Sequence, residues 1–190
     1  MDKIKILGIV GSLREDSYNR MALKEAQELV PECAELELME LHGIPVFNQD
    51  HESEIPESVV EFKRRIVDAD AILFATPEYN YSLSGVLKNA IDWASRPFGD
   101  SAWMDKPAAI MGASVGCLGT IRAQYHLRQI LVALDMPVVN QPEVMIGNAA
   151  LHFDRDGKLS DEFNRQLIKK LLEALVHLVK TCRSMISQAA

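Results

Sequence analysis

The chain has 190 residues, 48% of them apolar and 25% charged, which suits a soluble protein with a full core. Its formal charge of -7 and pI near 5.2 argue against nonspecific binding to nucleic acid or to an anionic membrane surface. They do not exclude small phosphorylated ligands, which backbone amides and a few side chains bind locally.

Strand and helix patterns alternate along the chain. Residues 3–10 are rich in Ile, Leu and Val and read as a first buried strand. The same stretch has the apolar character of a short signal segment, but it runs straight into Gly11-Ser12-Leu13-Arg14 without a cleavage site. Residues 18–30 read as a helix with Met21, Ala22, Ala26, Leu29 and Val30 on one face. Residues 35–41 alternate with period two, as expected of a strand near a sheet edge. Pro56 can open the next helix, which continues through Val59, Phe62 and Ile66. Residues 71–76 are apolar on both faces, which predicts a central strand of a parallel sheet.

Ser84 can cap a helix running to about Ser95, with Leu87, Ala90, Ile91 and Ala94 inward. A strand over 107–113 follows, then a helix from about Gly119 to Leu134 carrying Ile121, Tyr125, Ile130, Leu131 and Leu134. A fifth strand is expected between Pro137 and Ile146. A long last helix starts near Ser160 and packs through Phe163, Leu167, Leu171, Leu175 and Leu178. Residues 48–55, 96–105 and 147–159 are the least ordered candidates, and no repeat or linker divides the chain, so one domain over 1–190 is expected. Such alternation means an α/β fold, a parallel sheet with helices on both faces. Ligands of such sheets lie beyond the carboxyl ends of the strands, near the switch in strand order.

Three loops stand at those ends. After the first strand comes Gly11-Ser12-Leu13-Arg14-Glu15-Asp16-Ser17-Tyr18-Asn19. It matches neither the dinucleotide fingerprint nor the Walker A loop. It admits two readings: a phosphate cradle of hydroxyls, guanidinium and helix N-terminal amides, or an ordinary turn with Ser17 as N-cap and Arg14 in solvent. After the third strand, Pro77 ends the ladder and Glu78-Tyr79-Asn80-Tyr81 follows. These residues either border a flat heterocycle or form a surface loop whose tyrosines pack on neighbouring helices. After the fourth, Ser114 and Gly116 lie in Gly112-Ala113-Ser114-Val115-Gly116-Cys117-Leu118-Gly119, either a close backbone approach to a ligand or a tight strand-to-helix turn. The three loops together point to a planar, phosphorylated cofactor lying across them.

The cysteines Cys33, Cys117 and Cys182 are odd in number and widely spaced, without a CxxC pair. They suit a reducing compartment rather than a disulfide framework or zinc site. His42, His51, His126, His152 and His177 do not cluster, so no metal site is expected. His126 reads as structural or interfacial, and Cys117 as a small buried residue rather than a redox group. Ser12 and Ser114 lack an evident histidine partner, so no catalytic dyad is expected.

The stretch Gly11-Ser12-Leu13-Arg14-x-x-Ser17-x-Asn19, then Pro77-Glu78-Tyr79-Asn80-Tyr81-Ser82 with Gly85-x-Leu87-Lys88-Asn89-Ala90-Ile91-Asp92-Trp93, resembles the NADPH-dependent FMN reductase family. The likeness runs through Gln124-Tyr125-His126-Leu127-Arg128-Gln129-Ile130-Leu131 and covers roughly 3–146, closest to the chromate and quinone reductase branch. It implies a flavodoxin-like three-layer sandwich with a five-stranded parallel sheet in the order 2-1-3-4-5. It also implies bound FMN, with NADPH or NADH as co-substrate. Ser12, Arg14, Ser17 and Asn19 would hold the FMN phosphate. Pro77, Glu78, Tyr79 and Asn80 would line the isoalloxazine ring, largely through backbone groups, and Ser114 and Gly116 would complete it. Cys117-Leu118-Gly119 stands where the family often carries paired glycines.

The implied activity is ping-pong transfer from NAD(P)H through FMN to quinones, azo compounds, flavins or metal oxyanions such as chromate. The family also implies a homodimer or homotetramer, with contact surfaces on the 85–95 and 119–134 helices; the cysteines suit the cytoplasm, and no apolar run approaches the length of a membrane span, so no membrane insertion is expected. Two other readings compete: a flavodoxin-type electron carrier that does not oxidise NAD(P)H directly, and a flavin-free sensor domain. Such carriers show a strongly acidic face, whereas the charge here is moderate and the first loop carries an arginine.

Overall fold

A computed structural model describes residues 3–189. Met1 and Asp2, at the head of the N-terminal segment read above, lie outside the described residues. Five parallel strands form one sheet: β1 (Ile4–Val10), β2 (Ala34–Glu40), β3 (Ala71–Ala75), β4 (Ala108–Ala113) and β5 (Val144–Ile146). Their order is β2-β1-β3-β4-β5, so the flavodoxin-like arrangement is found and the switch in strand order falls between β1 and β3. The helices are α1 (Tyr18–Leu29), α2 (Glu57–Asp68), α3 (Gly85–Ala94), α4 (Ile121–Ala133), α5 (Ala149–His152) and α6 (Glu162–Ala189).

The period of two along the strands divides the core. Ile6, Val10, Leu73, Ala75 and Met111 point to one face, where α1 and α6 cover them. Leu7, Ile9, Ile72, Phe74 and Ile110 point to the other, under α2, α3 and α4. All five residues of β3 are buried, as its apolar run predicts, and the half-wet pattern of β2 fits its place at the edge.

Two expectations about helix faces need correction. Phe163 is exposed rather than part of the α6 seam. Each residue turns a helix by 100°, so the twelve-residue step to Leu175 leaves Phe163 about 120° off the seam's centre. Buried Asn164, Ile168, Leu171, Leu172 and Leu175 form the inner stripe instead. On α4 the buried positions are Ala123, Gln124, Leu127 and Leu131, while Tyr125 is half exposed. The regions expected to be least ordered carry structure of their own: a 3-10 turn at Gln49–His51, and α5 followed by a bridge from Phe153 to Leu159.

Loops from separate elements converge at the carboxyl edge. The Gly11 amide donates to the Ala75 carbonyl at 2.9 Å, and the Ser84 hydroxyl donates to the Gly11 carbonyl at 2.6 Å. Ser84 also accepts from the Leu87 amide at 3.3 Å, so the expected cap of α3 doubles as a tie to β1. A Cβ on Gly11 would meet the Ala75 oxygen at 2.7 Å and Pro77 Cδ at 3.0 Å. Glycine is what lets the first and second loops touch.

Candidate cofactor site

All ten residues singled out from sequence line two adjoining hollows at this edge. The first, of about 240 Å³, is lined by Ser12, Arg14, Ser17, Asn19, Pro77, Glu78, Tyr79 and Ser114, with Tyr18, Ala113 and Val115. The second, of about 400 Å³, takes in Asn80 and Gly116 beside Tyr81, Cys117, Leu118, Gly119 and Arg122. Glu78 and Ser114 belong to both and form the wall between them.

The first hollow opens on the N-terminus of α1. Ser17 occupies the N-cap position and is buried, yet its side chain makes no capping bond. The first-turn amides therefore lack their usual side-chain acceptor. No acidic residue stands in that first turn to oppose an incoming anion. Ser12 is buried and accepts the Arg14 amide at 3.3 Å, which curls the loop back over the hollow. The Arg14 guanidinium lies 5.5 Å from the centre of the Tyr18 ring. Hydroxyls, a guanidinium and free helix amides make a donor set suited to a phosphate monoester.

Asn19 reaches the site but turns its amide inward. Nδ2 donates to the Ala113 carbonyl at 3.0 Å, and Oδ1 accepts the Ala113 amide at 2.9 Å. It clamps the first loop to the end of β4.

The stretch from Pro77 to Ser82 is a tight turn. Tyr79 and Ser82 exchange both backbone hydrogen bonds at 3.0 Å, and Asn80 and Tyr81 between them have φ of 49° and 67°. Two left-handed central residues are the signature of a type I′ turn. Asparagine tolerates that region, but a tyrosine there is strained by about 1–3 kcal/mol.

Glu78 is expected to contribute backbone groups, yet its side chain has a definite task. The carboxylate is buried and accepts the amides of Arg122 at 3.1 Å and Ala123 at 3.3 Å. It caps α4 from another loop, where Thr120 stands at the N-cap position without a capping bond. The Arg122 Nε also donates to it at 2.5 Å, and Nη2 pairs with the same oxygen. The guanidinium lies over the Tyr81 ring at 3.8 Å from its centre.

Neither Arg122 nor Tyr81 is among the ten residues. One signal was available. A cation in the first turn of a helix opposes the helix dipole, so Arg122 called for a carboxylate from elsewhere. Cys117 corrects another expectation: it is exposed, not buried. The β4–α4 loop bulges outward there, while its backbone packs so closely on Gly147 that a Cβ on that glycine would meet the Cys117 oxygen at 2.3 Å. His126 bonds the Ser82 hydroxyl at 3.1 Å on the surface.

The family model described as NADPH-dependent FMN reductase matches residues 4–151. An NAD(P)H-dependent FMN reductase of Pseudomonas aeruginosa is 55% identical over 96% of this chain and 98% of its own. A 2-hydroxy-1,4-benzoquinone reductase of a Burkholderia species is 42% identical over 95% of this chain and 98% of its own. The solved structure of FerB, a flavoenzyme NAD(P)H:(acceptor) oxidoreductase from Paracoccus denitrificans, superposes with a TM-score of 0.85 at 38% identity, covering 94% of this chain and 98% of that one.

Proposed function

The chain belongs to the NADPH-dependent FMN reductase family, and from that premise we propose that it is an FMN-dependent NAD(P)H oxidoreductase reducing quinones. The observation that carries the reading is the donor set at α1: a buried, non-capping Ser17 beside Ser12 and Arg14, opening on a helix N-terminus. This set fits the phosphate of FMN.

Bound FMN supplies the redox chemistry, accepting reducing equivalents from NAD(P)H and releasing them to the acceptor. The protein's part is placement. Ser12, Arg14 and Ser17 hold the phosphate, while Asn19 fixes their loop against Ala113. Pro77, Glu78, Tyr79 and Asn80 would line the ring, and Ser114 and Gly116 would complete its surround. The exposed rings of Tyr79 and Tyr81 leave a flat apolar margin on which planar substrates stack in turn. No side chain is required as a nucleophile.

Quinones lead the proposed acceptors because relatives carry that name. We extend the range to azo compounds, flavins and metal oxyanions such as chromate, since reduced flavin serves acceptors of varied shape at an open site. The whole chain acts as one FMN-binding domain, a reading supported by the two helix layers on one sheet. Three free cysteines favour a reducing cytoplasm. Exposed Tyr125 and Val132 on α4 suit a contact between copies in a homodimer or homotetramer.

The test is an anaerobic visible spectrum of the FMN-reconstituted protein before and after NADPH and then NADH. Bleaching of the bound flavin band is expected, and its rate reveals the preferred nucleotide. A bound band that stays oxidised with both would mean an electron carrier with a separate reductase. Failure to bind FMN would overturn the proposal.

A further inference from the structure

The geometry points to Arg122 as a positioning residue for the flavin ring, acting through Glu78 and Tyr81 rather than by touching the cofactor. The inference rests on the proposed placement of FMN across the two hollows.

Three observations carry it. Arg122 stands in the first turn of α4, where a cation opposes the helix dipole, so its place needs a partner. That partner is Glu78, a buried carboxylate receiving the guanidinium and two α4 amides together. This is the tightest polar junction between the second loop and α4, and it anchors one end of the Tyr79–Ser82 turn. The guanidinium lies over the ring of Tyr81, a bulky residue held at φ 67°. A tyrosine in the left-handed region would leave it readily if nothing held its ring. The stack, with Glu78 holding the guanidinium by its Nε edge, offsets part of that strain. Arg122 thus holds the turn at its Glu78 side and through the central Tyr81, and sets the near lip of the ring slot before the flavin arrives, which lowers the ordering cost of binding.

Such a role has a signature. It concerns the ring and not the phosphate, so FMN and riboflavin should suffer alike. It also depends on the strain at residue 81. Asparagine-glycine is a favoured type I′ pair, so Tyr81→Gly gives a turn that holds itself.

The experiment is a fluorescence titration of FMN and riboflavin into the wild type, Arg122→Ala, Tyr81→Gly and the double variant, each checked for folding by circular dichroism. Arg122→Ala is expected to weaken both flavins by the same factor, about two- to fivefold, the size of a solvent-exposed cation–π contact. Adding Tyr81→Gly is expected to restore most of that loss. Unchanged affinity in folded Arg122→Ala would overturn the assignment. A loss confined to FMN would also overturn it, since Arg122 would then be meeting the phosphate. So would a double variant whose loss is the product of the two single losses. Wild-type protein that binds neither flavin would instead bring down the proposed function, and this inference with it.

Discussion

The amide of Asn19 meets both polar backbone atoms of Ala113, accepting from its nitrogen at 2.9 Å and donating to its oxygen at 3.0 Å. Two segments 94 residues apart in sequence are thereby held as one edge of the cofactor site. Asn19→Ala leaves a buried N–H and a buried carbonyl without their partner. A loss of about 2–3 kcal/mol is expected in urea unfolding. FMN affinity should fall as well, because the loop bearing Ser12, Arg14 and Ser17 loses its anchor.

Arg14 is assigned to the phosphate alone. Arg14→Ala should weaken FMN by about ten- to hundredfold, the worth of a charge-assisted hydrogen bond, and riboflavin by no more than about twofold. Equal losses for the two ligands, measured by fluorescence titration, would remove the assignment. The contrast with Arg122 is direct, since there equal losses are the expected result.

Gly112 leaves no room for a side chain. A Cβ there would lie 1.9 Å from Thr120 Oγ1 and 2.5 Å from the Thr76 carbonyl oxygen. Thr76 is backbone-bonded to β4, and Thr120 is buried at the start of α4. Gly112→Ala should therefore cost about 3 kcal/mol in urea unfolding, at the upper end of overpacking effects. FMN affinity should drop too, because the shift falls on the loop that carries Ser114 and Gly116.

Lys106 gives stability a pH dependence. Its ammonium donates to the carbonyls of Val67 at 2.7 Å and Ala69 at 2.6 Å, at the carboxyl end of α2. Burial holds its pKa below the ordinary value of 10.5, against the opposing pull of Asp70 and Asp68. The folded state thus sheds this proton at lower pH than the unfolded chain does. Between the two values the unfolded chain holds more proton, so this group's contribution rises with pH up to about 10.5. Urea midpoints at about pH 8 and about pH 10 should show the wild type gaining on Lys106→Met. A difference that stays constant or shrinks would contradict the shift.

Much of the site was legible because its loops carry motifs. Pro77 after an apolar run marks the end of β3, and two serines with an arginine before a helix mark a candidate anion site. Those signals are local and mark the three loops, and the ten residues that the family resemblance singles out in them line the two hollows. What stayed hidden lies between loops. Asn19 reads as a phosphate ligand, and its amide also ties the start of α1 to Ala113. Glu78 looked like a backbone contributor, but its carboxylate caps α4 and pairs with Arg122. Cys117 looked buried because free cysteine behaves as a small apolar residue, and it is exposed on the loop that packs its backbone on Gly147.

The division follows from range. Periodicity, capping and turn chemistry act over a few residues, so the alternation of strands and helices, the breaks that end them and the polar loops beyond them were determined by the sequence alone. A hydrogen bond or ion pair between distant segments leaves no trace in local order. Its partner is chosen only when the strands take their places in the sheet, and then the cost of an unpaired buried charge decides which groups must meet. That is why Glu78 and Arg122, 44 residues apart, became partners only in the tertiary structure.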